Sequence, residues 1–579
     1  MGKLMDKNLL VNQVSGRKTI EIKLPDGRIY EGPRMATVET FLKVLPEWQN
    51  PPIVGAVVNS ALRELTFRLE MDSIVMPVTM ADPDGARIYR RSITFLLEAA
   101  FQELFPVGTV TVDHAVASGG FYCQTLGRDP LSVAELEKLE KHMQKLVTLN
   151  LPFERKLVPI DEAIQYFAQM GHEDKVHLLR YRQKKHLVLY ELGNHKDYHH
   201  GYMVPSTGYL KWFSLNPLGD DAFVLCYPRR RSPTSIFPMP EYPKLLGTFK
   251  QYGEWLARLG VENVGSLNDA ITAKQIRELV LVSEALHERQ IAGIAEKIVE
   301  KSASTRIVLI AGPSSSGKTT FSKRLAVQLL SLGISPYALE LDNYFVNREK
   351  TPLDQDGNYD FEALEALDIK LLGQQLKQMI RGEEVQIPAF NFKEGKSEPG
   401  KIVKLQQDQV IILEGIHGLN PQLLPDTDPS SVFKIYISCL TQLNLDRHNR
   451  ISTTDTRLIR RIVRDVRERG YSAYDTIQRW ESVRRGEKQH IFKYQENADE
   501  IFNSALVYEL SALKPIVEPY LRQVPFGTIE YIEAKRLLTF LEWFLPVEAD
   551  IIPDNSILRE FIGGSILKDF KLWKYNHTD

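Results

Sequence analysis

The stretch "RIVLIAGPSSSGKTTFSKRLAVQLL", residues 306–330, decides how the second half of this chain is read. It opens on a short apolar run, breaks into glycine, proline and serine, and resumes with apolar residues at helical spacing. Gly312, Pro313, Ser314, Ser315, Ser316, Gly317, Lys318 and Thr319 satisfy the spacing GxxxxGK[ST], with Thr320 next in line. Glycines let backbone N–H groups wrap a phosphate at a helix N-terminus, where orphan amides and the helix dipole favour an anion. Lys318 reaches the β- and γ-phosphates, and Thr319 offers a hydroxyl to Mg²⁺. ATP or GTP is therefore the expected donor.

Outward from this loop, "YALEL" (337–341), "VIILEG" (410–415) and "FKIYIS" (433–438) are further short apolar runs separated by helical segments. That alternation predicts an α/β unit over 303–524 with a parallel sheet buried on both faces. Ligands of such sheets bind at the carboxyl ends of the strands. Asp342 stands at the end of "YALEL" and Glu414 at the end of "VIILE". A carboxylate there accepts a proton from an attacking hydroxyl or holds Mg²⁺; a helix cap or a turn is the bland reading for each taken singly. In "DTRLIRRIVRDVRERG" (455–470), Arg457, Arg461 and Arg464 share one helix face, with Arg460, Arg467 and Arg469 close by. A solvated face paired with Asp465 and Glu468 is one reading. The expectation is a lid whose cations clamp the transferring phosphate.

These residues resemble the uridine/cytidine kinase branch of the phosphoribulokinase/uridine kinase family. The resemblance covers Thr305 to about Tyr520 and rests on "GPSSSGKTT", "LDNYF", "NYDFEALEALD", "IPAFNF", "VIILEGIHGL", "DTRLIRRIVRDVRERG" and "ENADEI". It implies a kinase acting on a ribonucleoside 5′-hydroxyl, with Mg²⁺ as cofactor, Asp342 as general base and Asp360 on the ribose hydroxyls. It further implies that Tyr344 and Arg461 face the substrate, Arg464 and Arg469 the phosphates, Asp499 the nucleotide, and Thr319, Glu414 and Asp342 the metal. The family's base-contacting tyrosine position carries Phe390, its histidine falls near Gly395 or Lys396, and later polar contacts land on Tyr471 and Arg479, so the base is left open. Family relatives that phosphorylate another sugar or small alcohol supply the alternative acceptor.

The first half reads differently. "KTIEIKLPDGRIYEG" (18–32) is two alternating runs about Pro25-Asp26-Gly27, a hairpin signal, and "TVETFLKVL" (37–45) a helix. After a tail over 1–17, residues 18–80 resemble a TGS domain, a β-grasp module, and 85–240 resemble the α+β editing domain that follows it in threonyl-tRNA synthetases, with "SGGFYCQT" (118–125) shared. The family's editing residues align here with Arg91, Phe95, His199 and Met203, so a scaffold without editing activity is expected. In "GNHKDYHHGY" (193–202), His195, His199 and His200 lack a cysteine or acidic ligand at useful spacing and read as a solvated loop rather than a Zn²⁺ site. A proline- and arginine-rich boundary, "PRRRSPTSIFPMPEYP" (228–243), precedes a helical connector over 244–302, and 525–579 is a helical extension. The apolar faces of both leave packing between domains and homo-oligomer formation open.

The whole chain of 579 residues carries a formal charge of −2, which advertises neither nucleic acid nor membrane, and no 18-residue apolar window occurs. Cys123, Cys226 and Cys439 lie far apart and read as free thiols, and the cytoplasm is the expected location. The pairing of synthetase-like modules with a phosphate loop leaves a second reading, a nucleotide-gated protein contacting RNA or the ribosome.

Overall fold

The turn at Pro25-Asp26-Gly27 forms, with Gly27 at φ +90°, a conformation that favours glycine. It joins β1 (Thr19–Lys23) to β2 (Ile29–Pro33) as an antiparallel pair. The computed structural model describes residues 16–570 apart from 117–118, 240, 303, 354–356, 358, 392–393 and 407–408; the tail expected over 1–17 thus lies, through residue 15, outside the described residues. After α1 (Val38–Leu42) come β3 (Ile53–Val58), β4 (Ala61–Arg63) and β5 (Ser73–Thr79). The five strands make one mixed sheet ordered β2-β1-β5-β3-β4, with β1 and β5 parallel. Val38, Phe41 and Leu42 of α1 bury against Ile20, Ile22 and Val75 of that sheet.

Next comes α2 (Pro83–Leu104), a long helix buried on most of its faces. It is followed by β6 (Thr109–Val116), β7 (Gly120–Leu126), α3 (Val133–Leu149), β8 (Glu154–Pro159), α4 (Ile160–Gln169) and α5 (Glu173–Arg180). The region closes with β9 (His186–Leu192), β10 (His195–Asp197), β11 (Ser214–Leu218) and β12 (Ala222–Cys226). Two antiparallel sheets result, ordered β11-β12-β7-β6 and β10-β9-β8. Helix α3 starts where Ser132 and Glu135 satisfy each other's backbone amides in a capping box.

The connector is three helices, α6 (Pro243–Leu259), α7 (Val264–Thr272) and α8 (Ile276–Glu300). The periodic run from Ile271 is not continuous: the chain breaks between α7 and α8, where Lys274 takes φ +61°. Side chains of α5, α6, α7 and α8 share one hydrophobic core with those of the last third of the chain, so packing accounts for the connector's apolar faces.

The remaining elements are β13 (Ile307–Ala311), α9 (Lys318–Ser331), β14 (Pro336–Glu340), α10 (Ile369–Ile380), β15 (Glu384–Asn391), β16 (Lys396–Lys404), β17 (Val410–Glu414) and β18 (Val432–Ser438). Then follow α11 (Thr453–Arg464), α12 (Ala473–His490), β19 (Glu500–Asn503), α13 (Glu509–Arg522), α14 (Ile529–Leu541) and α15 (Arg559–Ile562). Strands β14, β17, β13, β18 and β19 pair in that order, every pair parallel. All five residues of β13 are buried, as a central strand covered by helices on both faces requires. The chain is thus multidomain, α+β followed by a parallel α/β unit. Among the described residues no helix is long and apolar enough to cross a membrane.

Candidate active site

The phosphate loop leaves β13 with no room for a side chain at its first step: a Cβ on Gly312 would lie 2.1 Å from the Ile437 carbonyl oxygen. Ser315 and Gly317 take φ of +59° and +89°, which bends the backbone into α9. Lys318 turns its ammonium back to within 3.3 Å of the Pro313 carbonyl. Among the described residues the buried hydroxyls of Ser315 and Ser316 have no hydrogen-bond partner, a state buried polar groups seldom keep without water or a bound group to complete them. Thr319 donates its hydroxyl to Glu414 Oε1 at 3.0 Å. Burial pushes the Glu414 carboxyl up to about 7; Lys318 opposes the rise and Glu560 adds to it.

Asp342 lies two residues past the end of β14, in the turn Leu341–Tyr344 beside the end of β17, since Glu340 and Glu414 are register partners. Its carboxyl is raised, first by the surrounding protein, against the pull of Lys318 and Arg469. Asp360 accepts the Glu362 amide at 3.1 Å and lies within electrostatic reach of His490. Glu362 packs on Gly486 of α12, where a Cβ would meet its own at 2.7 Å. Burial pushes Glu362 up to about 7, with Glu487 reinforcing and Arg461 and Lys318 opposing. Phe390 of β15 packs on Phe345 at 5.5 Å between ring centres, and Phe345 meets Phe361 at 6.4 Å, an aromatic group beside Asp360.

The arginine helix is not a lid. Leu458, Ile459 and Ile462 of α11 sit in the main core, Arg457 is buried against Glu487, and Arg460 is buried against Glu509 with Nε 2.6 Å from its carboxylate. These buried arginines also brace the loop, Arg457 donating to the Ser314 carbonyl at 2.9 Å and Arg460 to the Ser315 carbonyl at 3.5 Å. Arg461 donates to the Ser314 hydroxyl at 2.7 Å, and a π-helical turn, Asp465–Arg469, carries the chain toward α12. Buried Asp465 holds Arg461, Arg464 and Arg469 at 3.2, 3.7 and 3.3 Å. Arg461, expected to face the substrate, and Arg464 and Arg469, expected at the phosphates, thus converge on one anion.

Two expected contacts are not brought to this crevice. Tyr344 is buried in the core between α10 and the sheet and donates to Gln375 at 2.9 Å, because the side chain after Asp342 and Asn343 turns inward. Asp499 accepts the Lys434 amide at 2.7 Å, four residues before the strand ends at Ser438 and Asn503, so it braces β18 against β19 away from the crevice. Tyr471 and Arg479 stack on each other, the guanidinium 4.4 Å from the ring centre. Asp465, read in the sequence only as a partner on a solvated face, is buried here, and Glu362, Glu487 and Glu560 are site residues the sequence reading missed. Glu362 alone carried a signal, two positions after Asp360 within a quoted motif.

The histidine stretch is not a solvated loop. His195 and His199 are buried against Glu98 of α2, and Phe95 packs on both rings at 4.8 and 5.5 Å. From the distant loop after β18, His448 Nδ1 reaches Asp197 at 2.7 Å, and buried Lys175 bridges Asp197 and Asp446 at 2.9 and 3.1 Å. Glu98, Asp197 and His199 bring ligand atoms within 4.8 Å of one another, but Lys175 already supplies a cation there. The positions aligned with editing residues are thus packed shut: Met203 is buried and Arg91 is bonded to the Tyr202 carbonyl.

Residues 307–511 match the Phosphoribulokinase / Uridine kinase family. The N-terminal region matches threonine–tRNA ligases. That of Coxiella burnetii is 31% identical over 198 residues, 34% of this chain and 30% of that protein, and that of Polaromonas naphthalenivorans 34% identical over 199 residues, 34% and 31%. The chain thus spans about a third of the length of the curated relatives it matches. Among solved structures, one described as a possible uridine kinase from Bacillus stearothermophilus is 19% identical, covering 37% of this chain and 98% of that one with a TM-score of 0.27. A D-glycerate 3-kinase from Cryptococcus neoformans is 16% identical, covering 47% and 88% with a TM-score of 0.21.

Proposed function

We propose that this protein transfers the γ-phosphate of ATP or GTP to the 5′-hydroxyl of a ribonucleoside. The observation that carries the reading is the pair Asp342 and Glu414, at the carboxyl ends of neighbouring strands, with Lys318 in electrostatic reach of both. Asp342 takes the proton of the attacking hydroxyl; its raised carboxyl makes it a stronger base than an ordinary aspartate. Lys318, Arg464 and Arg469 offset the charge on the transferring phosphoryl group, and Arg461 fixes the loop through Ser314. Asp360 accepts from the ribose hydroxyls, and Phe390 with Phe345 offers a face on which a base stacks.

Thr319 and Glu414 fit Mg²⁺: a hydroxyl and a carboxylate destabilised by burial and by Glu560 form an oxygen pair that a hard cation would relieve. Thr319 and Glu414 would hold such an ion, which would offset negative charge on the nucleotide's phosphates. A panel of pyrimidine and purine ribonucleosides, extended to sugars and small alcohols, tests the assignment through acceptor-dependent ADP release. Turnover confined to a sugar or small alcohol would move the acceptor to the alternative class.

The likeness to threonine–tRNA ligases supports a second role, contact with RNA. Nucleic acid that co-purifies and is lost at high salt is its expected sign.

A further inference from the structure

After α14 the chain returns to the phosphate loop. Ile557 leaves no space for a side chain on Gly317, where a Cβ would come within 2.5 Å of its Cγ2. Three residues later, Glu560 Oε2 accepts both the Thr320 amide, at 3.2 Å, and the Thr320 hydroxyl, at 3.1 Å. Thr320 is the third residue of α9, so its amide has no acceptor within the helix and is one of the donors a phosphate takes at such an end. The other carboxylate oxygen of Glu560 lies 3.7 Å from Arg464 Nη1.

The segment that delivers this carboxylate is braced at several points. Arg467 donates to the Glu560 carbonyl at 2.9 Å, and Lys323 of α9 to the carbonyls of Leu567 and Lys568 at 2.8 and 3.0 Å. Arg559 ties its own turn to the carbonyls of Ala549 and Ile552, and Phe561 is buried in the main core. A fixed anion thus holds an amide and sits beside an arginine that the nucleotide's phosphates require. One N–H cannot serve two anions, and the like charges repel.

We propose that the C-terminal segment is an autoinhibitory strap, with Glu560 standing in for nucleotide phosphate at Thr320 and Arg464 until nucleotide displaces it. The proposal rests on the nucleotide site assigned above. Calorimetric titration of the full chain with Mg·ATP tests it. Glu560→Gln keeps the shape and removes the charge, and is expected to bind about three- to tenfold more tightly than the unaltered protein. Lys323→Ala loosens the strap away from the phosphates and is expected to shift affinity the same way. Amide hydrogens of residues 556–567 are expected to exchange faster once nucleotide is bound. Equal or weaker binding by folded Glu560→Gln overturns the strap and leaves the nucleotide site standing, whereas no binding by any of the three proteins overturns both. If Glu560→Gln fails to fold, unchanged exchange on nucleotide binding with unchanged affinity of Lys323→Ala overturns the strap.

Discussion

Glu487 Oε1 lies 2.9 Å from the amide nitrogen of Ser314, and the same oxygen receives the guanidinium of Arg457. Helix α12 therefore grips the phosphate loop through one buried carboxylate. Glu487→Ala would leave Arg457 buried without its anion and is expected to cost about 3–5 kcal/mol of stability. Glu487→Gln, which keeps an acceptor, should cost clearly less. Urea unfolding of the two variants checks the order; equal losses would mean that the negative charge on Glu487, not its acceptor oxygen or its packing, is what Arg457 requires.

Asp342→Asn removes the proposed base and keeps the side chain's size. Turnover is expected to fall about a hundredfold or more while nucleotide affinity stays near that of the unaltered protein, since base catalysis contributes on this scale. Steady-state kinetics beside a binding titration separate the two. Unchanged turnover would remove Asp342 from the role.

The carboxyl of Glu414 stands at about 7 against an ordinary 4.5, raised first by burial. Between those values the folded protein retains a proton that the unfolded chain has lost, so this group makes stability fall as pH rises through that window. Mg²⁺ needs the ionised form, so the gain in nucleotide affinity on adding Mg²⁺ is expected to grow from pH 6 to pH 8. Glu414→Gln should flatten that dependence. A Mg²⁺ effect that ignores pH in the unaltered protein would exclude Glu414 as ligand.

Lys175 is buried between Asp197 and Asp446, which come from the two halves of the chain. Lys175→Met leaves both carboxylates without their cation and is expected to destabilise by about 3–5 kcal/mol. Calorimetry should show both halves losing stability together. Loss confined to the first half would mean that the cluster does not couple them.

The phosphate loop and the carboxyl ends of β14 and β17 were legible in the sequence because local rules decide them: glycine at positive φ, and apolar runs that only a doubly covered strand tolerates. Strand β19 was not, since Glu500–Asn503 is short and mixed in character and is made a strand by its partner β18. Glu560 was invisible for another reason: its contact with Thr320 spans 240 residues, and nothing in "SILREFIGG" marks a phosphate site. The histidine stretch misled because its buried partners Glu98 and His448 come from α2 and from the loop after β18, so spacing within "GNHKDYHHGY" could not reveal the burial. Tyr344 misled through its neighbour, sharing a motif with Asp342 while its side chain turns into the core.

The central claim is a phosphoryl transfer between named atoms, and the product of one turnover tests it most directly. The full chain is mixed with γ-labelled ATP, Mg²⁺ and a ribonucleoside, and the labelled product is identified by chromatography against 5′-, 3′- and 2′-monophosphate standards. Label on the 5′-oxygen with the unaltered protein, and not with Asp342→Asn, is the expected result. Label released only as inorganic phosphate, whichever pyrimidine or purine ribonucleoside is supplied, would contradict the account.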